Sequence, residues 1–273
     1  MHRPPVLAAA LGVALVLGAA SARGQTLYAA APDTLRFHEL TTGDITIETP
    51  QGALPMRSTH DATIAIVRTH GDTARAWFEA LSIGLSTPMG DQHPETDAVL
   101  RAPYTLRFDD RGRVETLASP TFPPELAGVS ELSMQFLDFM VRLPARPLRV
   151  GLAWSDTLAR TSHTGARQMK WRSVARYRVE RDTVADGVPA VVVSMKQEIR
   201  TSGEGPVPGQ EGRASTVLAG TEDGFFVFAP AAGRLIARRR NGQISGDLTV
   251  HGDAGSMVLK QAFTYASALD AVP

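Results

Sequence analysis

Strict alternation between Trp171 and Arg181 constrains this chain more than any other feature. Trp171, Ala175, Tyr177 and Val179 fall on one side of an extended backbone, with Arg172, Arg176, Arg178 and Glu180 on the other. Successive side chains of a strand point to opposite faces, so a slip of one residue would bury guanidinium groups. Ala185-Asp186-Gly187 then turns the chain into a second such run, where Val191, Val193, Met195 and Ile199 oppose Ser194, Lys196 and Glu198. Paired strands of this kind make antiparallel sheet with one face buried and one face wet.

The same grammar recurs along the chain. Leu35 and Phe37 alternate with Arg36 and His38, and Gly43-Asp44 reads as a turn into Ile45 and Ile47. Leu54 to Val67 is strand, followed by a run that sets Trp77, Leu81, Ile83 and Leu85 on one side. Ser86 to Pro103 reads as a long loop. Tyr104 to Leu117 is a hairpin in which Gly112 supplies the positive φ of the turn. Thr201 to Gly212 reads as a loop, and five strands are expected after it: 214–219, 225–228, 235–239, 244–250 and 257–265. Arg238-Arg239-Arg240 is the one dense basic cluster and reads as a solvated strand end.

Between the two β-rich halves lies Glu131 to Leu143, where Leu132, Phe136, Phe139, Met140 and Leu143 recur at helical spacing. Ser130 suits an N-cap and Pro144 a stop. The expected fold is therefore mainly β (α+β): a strongly curved antiparallel sheet, or half-barrel, packed on one central amphipathic helix at 131–143.

The N-terminus carries Arg3, an apolar run from Val6 to about Ala20, and Ala20-Ser21-Ala22. This pattern predicts a signal peptide at 1–22, a leader at 23–33 and a single β-rich domain at 34–270, exported to the periplasm or the medium. No later stretch reaches the ~18 apolar residues of a spanning helix, so no membrane span is expected once the signal is removed. With 28 basic and 28 acidic residues the chain has no broad field that would favour nucleic acid. Cysteine is absent, which excludes a lipid-anchoring lipobox and a thiolate nucleophile.

The hairpin Thr105–Val114, the pair Tyr177–Val193 and the closing meander from Gly224 together resemble exported half-barrel lipoprotein carriers of the LolA and LppX type, and uncharacterised exported bacterial β proteins. That resemblance implies handling of an apolar ligand. No G-x-S-x-G elbow, HExxH or paired metal spacing occurs, so no enzyme, metal or cofactor is expected. Trp77, Phe136, Phe139, Met140, Trp154, Trp171, Tyr177 and Phe263 are the apolar residues expected to line a site between sheet and helix. The expected function is binding of an apolar or lipid-like ligand there. The alternatives are a structural or interaction module, or a hydrolase assembled from distant loops.

Overall fold

Alternation does set the architecture. The computed structural model describes residues 34–273, apart from 110, 124–125, 127–131, 133–134, 137, 165–166, 207–211 and 253–254. The expected signal peptide, leader and Ser130 cap lie outside the described residues. Twelve strands form one sheet. They are β1 (Thr34–Thr49), β2 (Gly52–His70), β3 (Thr73–Thr87), β4 (Gly90–Gln92), β5 (Tyr104–Phe108) and β6 (Val114–Ala118), then β7 (Ala153–Thr164), β8 (Arg167–Ala185), β9 (Val188–Pro206), β10 (Arg213–Ala229), β11 (Arg234–Gly252) and β12 (Gly255–Val272). Every strand pair is antiparallel, in the order β6-β5-β3-β2-β1-β12-β11-β10-β9-β8-β7, with β4 on β3.

Eleven strands laid flat would span about 48 Å at ~4.8 Å per neighbour. Yet one continuous core joins Tyr104 and Leu106 near one edge to Ala175 and Tyr177 near the other. The sheet is therefore rolled around a central segment that brings Phe122, Leu126, Leu132, Phe136, Phe139, Met140 and Leu143 into or against the core. Phe136 meets Tyr104 with centroids 4.8 Å apart, and Phe139 meets Phe37 at 5.6 Å. The outer edges are tied at one end, where Arg113, just before β6, donates to Asp156 on β7 at 2.6 Å. Leu143 donates its backbone N–H to Arg111, and Trp154 Nε1 donates to the Arg142 carbonyl, so the central segment bridges the two edges.

Several sequence expectations are corrected here. The helix expected at 131–143 is not found among its described residues: Leu132 has a 3-10 conformation, Gln135, Phe136 and Asp138 are in turns, and 139–143 have no regular structure. The apolar spacing remains, but it serves a segment buried on several sides, whose backbone donors and acceptors go to Arg111, Trp154, Tyr104 and Arg238. The α+β half-barrel on a helix gives way to a twelve-stranded antiparallel sheet rolled around an irregular segment. The turn expected at Gly43-Asp44, the loop expected over 201–206 and the strand breaks left at 220–224 and 240–243 are also absent, because β1, β9, β10 and β11 run straight through them.

Glycine in these strands serves curvature. A Cβ on Gly224 would lie 2.0 Å from the Arg239 carbonyl oxygen, and one on Gly220 equally close to that of Gln243. Only glycine lets β10 and β11 approach so tightly on the concave side. A bulge resets β3: Thr63 pairs with Ala80 but Ile64 with Phe78, leaving Glu79 extra. Ala74, Ala76 and Phe78 point inward before it and Leu81 and Ile83 after it. Trp77 therefore shares the outer face with Arg75 and Glu79, not the inner face the sequence suggested.

On β8 the faces fall as the alternation predicts. Tyr177 and Val179 are buried, whereas the Arg176 and Arg178 side chains are 70% and 65% exposed. Phe136→Ala should lower unfolding free energy by about 3–5 kcal/mol in a denaturant titration. Arg176→Ser with Arg178→Thr should change it by less than about 1 kcal/mol. A collapse of the double arginine variant would mean that the outer face is covered.

Candidate functional site

Cross-strand register sorts the inward-facing residues into rows. Deepest lies the apolar core described above. Next comes a row in which Glu39 (β1), Leu269 (β12), Arg238 (β11) and Phe226 (β10) are successive partners. After it follow Thr41, Ser267, Arg240 and Gly224, then Gly43, Tyr265, Gly242, Glu222 and Gln197. Beyond these the rows are mainly apolar, with Met56, Ile45, Phe263 and Ile244, then Leu54, Ile47, Leu218 and Trp171 in a row that also holds Gln261, Gly246 and Thr201. A polar belt thus divides a sealed core from an apolar trough.

Three arginines and three carboxylates occupy the belt. Arg238 donates to Glu39 at 3.1 Å and to the carbonyls of Asp138 and Phe139, with its guanidinium 5.7 Å from the Phe139 ring centre. Asp138, delivered by the central segment, accepts from Gln197 at 3.1 Å and from Arg240 at 3.4 Å, and lies 3.5 Å from Arg142. Arg240 is also 3.6 Å from Glu222, which accepts a hydrogen bond from the Tyr265 hydroxyl. Arg142 donates to Gln197 at 3.0 Å, and Gln135 donates to Glu39 at 2.6 Å. Gly242 is required here, because a Cβ would fall 2.3 Å from the Tyr265 ring that crosses β11 to reach Glu222.

Burial shapes the acid–base character of the belt. It pushes Arg238 down to about 10, aided by Arg240 and opposed by Glu39. Burial also lowers Arg240, but the Glu222 and Asp138 carboxylates outweigh it and hold the group above the ordinary arginine value. The Tyr265 hydroxyl is raised, first by burial and then by Glu222. His60, inward on β2, is lowered by burial against the pull of Glu39 and Asp61.

Directly on the belt sits a cavity of about 390 Å³. Met169, Trp171, Leu218, Ile244 and Phe263 wall it, and Asp138, Glu222, Arg240 and Tyr265 form its floor. A larger groove, about 650 Å³, runs over the outer face across Lys170, Arg172 and Arg200. That groove is open sheet surface, whereas the inner cavity combines an apolar wall with convergent polar groups, as small-molecule sites do.

Of the residues singled out by sequence, Trp171 and Phe263 line the cavity. Phe136, Phe139, Met140 and Tyr177 are buried in the sealed core. Trp154 stacks on Tyr177 at 5.0 Å beside that core, and Trp77 lies on the outer face. Sequence reasoning missed Asp138, Glu222, Arg240 and Tyr265. Parity held the signal for three of them, since Arg240 is in phase with Ile244, Glu222 with Leu218 and Phe226, and Tyr265 with Phe263. The basic cluster at 238–240 is not a solvated strand end: Arg238 is 2% exposed, and only Arg239 turns outward, to Asp270.

The carboxylates of the belt and of the nearby turns are held in place by specific donors. Glu222 and Asp223 face opposite sides of β10, and Asp109 is tied to the backbone N–H groups of Arg111 and Arg113. Each belt carboxylate is held by at least one donor. His38 pairs with Asp61 on the outer face while His60 points inward, and no three metal-ligating side chains gather among the described residues. The side chain of His163 lies outside the described residues.

No family model matches the chain, and no curated protein does. Among solved structures, it is similar to Neisserial surface protein A at 8% identity, covering 86% of this chain and 96% of that one, with a TM-score of 0.24. An outer membrane channel from Pseudomonas putida F1 matches at 10% identity, covering 90% and 98%, TM-score 0.25. Pseudomonas aeruginosa OccK2 matches at 9% identity, covering 89% and 99%, TM-score 0.27. These neighbours are a surface protein, an outer membrane channel and OccK2, not lipoprotein carriers, and no helix around which a LolA- or LppX-type half-barrel would wrap is present among the described residues, so that resemblance is withdrawn. At these TM-scores the likeness extends to antiparallel strands and carries nothing about function. The faces are moreover reversed: a lipid-facing barrel needs an apolar outer band about 25 Å tall, whereas here Arg172, Arg176, Arg178, Lys196, Glu198 and Arg200 are exposed outside. No helix among the described residues is long and apolar enough to cross a membrane.

Arg238→Met should cost about 3–5 kcal/mol, because Glu39 is left buried without its partner. Adding Glu39→Gln should recover part of that loss, which a double-mutant cycle by chemical denaturation measures. His60 gives a second expectation. Its folded value lies below the ordinary 6.5, so the unfolded chain takes up a proton first as pH falls. Stability should therefore drop from about pH 7 downward until the folded ring titrates, and His60→Gln should flatten that part of the profile.

Proposed function

We propose that this chain is an exported, non-catalytic binding protein for a small amphipathic molecule, held with its apolar part in the trough and its polar end on the belt. The observation that carries the reading is the cavity of about 390 Å³ whose wall is apolar and whose floor is a fixed array of charges and hydroxyls. A volume of this size suits a small ligand. Trp171 and Phe263 supply flat apolar surface, and the floor fixes which end of a ligand enters first. Export rests on Arg3, the apolar run and Ala20-Ser21-Ala22. The charged outer face supports a protein with water around it, in the periplasm or the medium.

Titration with N-phenyl-1-naphthylamine, whose fluorescence rises in apolar sites, tests the reading. The mature wild type should give a saturable rise with one probe per chain. Phe263→Glu and Leu218→Glu, each placing a charge in the wall, should weaken binding at least about tenfold, equivalent to ~1.4 kcal/mol, with an unchanged circular dichroism spectrum. A linear, non-saturating response of the wild type, or full binding by both variants, would remove this function.

A further inference from the structure

The ledger of the belt bears on what kind of polar end it accepts. Arg142, Arg238 and Arg240 are balanced by Glu39, Asp138 and Glu222, all within one connected set of contacts. Among these six belt groups no charge of either sign is left over, so a carboxylate or ammonium entering the cavity would be dehydrated without a counter-ion on the floor. Hydrogen-bonding capacity is left over. Arg240 Nε and Glu222 Oε1, both belonging to floor residues, have no hydrogen-bond partner among the described residues, and neither does Trp171 Nε1 in the wall. Two donors and one acceptor are answered by groups that both give and accept, such as hydroxyl or ester with hydroxyl. An ammonium only donates, and a carboxylate only accepts.

The trough bears on the length of the apolar part. Beyond the cavity half-buried apolar residues recur at inward positions, Ile45 and Ile47 on β1, Leu54 and Met56 on β2, Leu248 on β11 and Leu259 on β12, with Gly246 and Gln261 between the last pair and the cavity wall. Leu248 and Leu259 are direct partners, four residues past the Ile244–Phe263 pair that walls the cavity. From Arg240 to Leu248 the strand runs on the order of 27 Å at ~3.4 Å per residue. Half-buried apolar side chains spread along the outer half of that distance, on β1, β2, β11 and β12, form a surface suited to a long apolar partner.

Resting on the function proposed above, we infer that the ligand is an uncharged single-chain lipid, with a hydroxyl- or ester-bearing head on the Asp138–Arg240–Glu222 floor and its chain lying along the trough toward Leu248 and Leu259.

Displacement of N-phenyl-1-naphthylamine from the mature protein at pH 7.5 tests this with three probes of equal chain length: monopalmitoylglycerol, hexadecanoate and hexadecylamine. Monopalmitoylglycerol should displace at a concentration at least about tenfold lower than either charged probe. Glu222→Gln, which leaves the arginines in excess by one, should shift the preference toward hexadecanoate. Monocaprylin, with half the chain, should bind more weakly than monopalmitoylglycerol, and Leu248→Glu should abolish that difference. Equal or tighter binding of either charged probe by the wild type overturns the neutral head and leaves the binding function standing. Equal affinity for the long and short monoacylglycerols overturns the chain placement. Failure of the naphthylamine itself to bind removes both this inference and the function beneath it.

Discussion

Three buried guanidinium groups must be kept paired inside a rolled β-sheet, and much of the interior follows from that demand. Arg238 lies almost wholly out of water, and its charge survives there because Glu39 reaches over Leu269 from two strands away. A second set of acceptors comes from the backbone of Asp138 and Phe139. Those carbonyls are available because that segment is not helical; a helix would have consumed its own acceptors. The irregular central segment is thus matched to the arginines it serves, and Asp138 links all of them.

Curvature is the second condition, and it depends on where side chains are missing. Gly220 and Gly224 lie where β10 and β11 approach too closely for a Cβ, and Gly242 yields its space to Tyr265. The bulge in β3 lets a strand with two incompatible alternation phases keep Phe78 and Leu81 on the same side. Without these features the sheet would flatten, Tyr104 and Tyr177 would part, and the belt would open to water.

Sealed core, polar belt and open trough then divide the labour between stability and binding. Phe136, Phe139, Phe37 and Tyr177 fill the first region at close aromatic distances. Ile244, Phe263, Trp171 and Leu218 wall the second at partial exposure, where contacts are still to be made. The belt between them holds the polar groups in fixed positions before any ligand arrives, and such preorganisation lowers the entropic cost of binding.

Local alternation by itself determined that the protein is an antiparallel β structure, which residues of β8 and β9 point inward, and that the Asp109–Arg113 hairpin turns at Gly112. These depend on the two-residue period and on φ at one position, which neighbours in sequence decide. Glycine misled because Gly43 read as a turn and Gly220, Gly224 and Gly242 fell in breaks between expected strands, when their role is to admit a neighbouring strand or ring that only the tertiary structure supplies. The helix at 131–143 failed for a related reason: apolar spacing marks burial, but with sheet on several sides the segment took its hydrogen bonds from partners far along the chain. Trp171 and Phe263 were legible as inward-facing apolar residues. The belt was not, because Glu39, Asp138, Glu222 and Arg238 meet only after the sheet has rolled up, and no local pattern encodes the pairing of charges up to 199 residues apart.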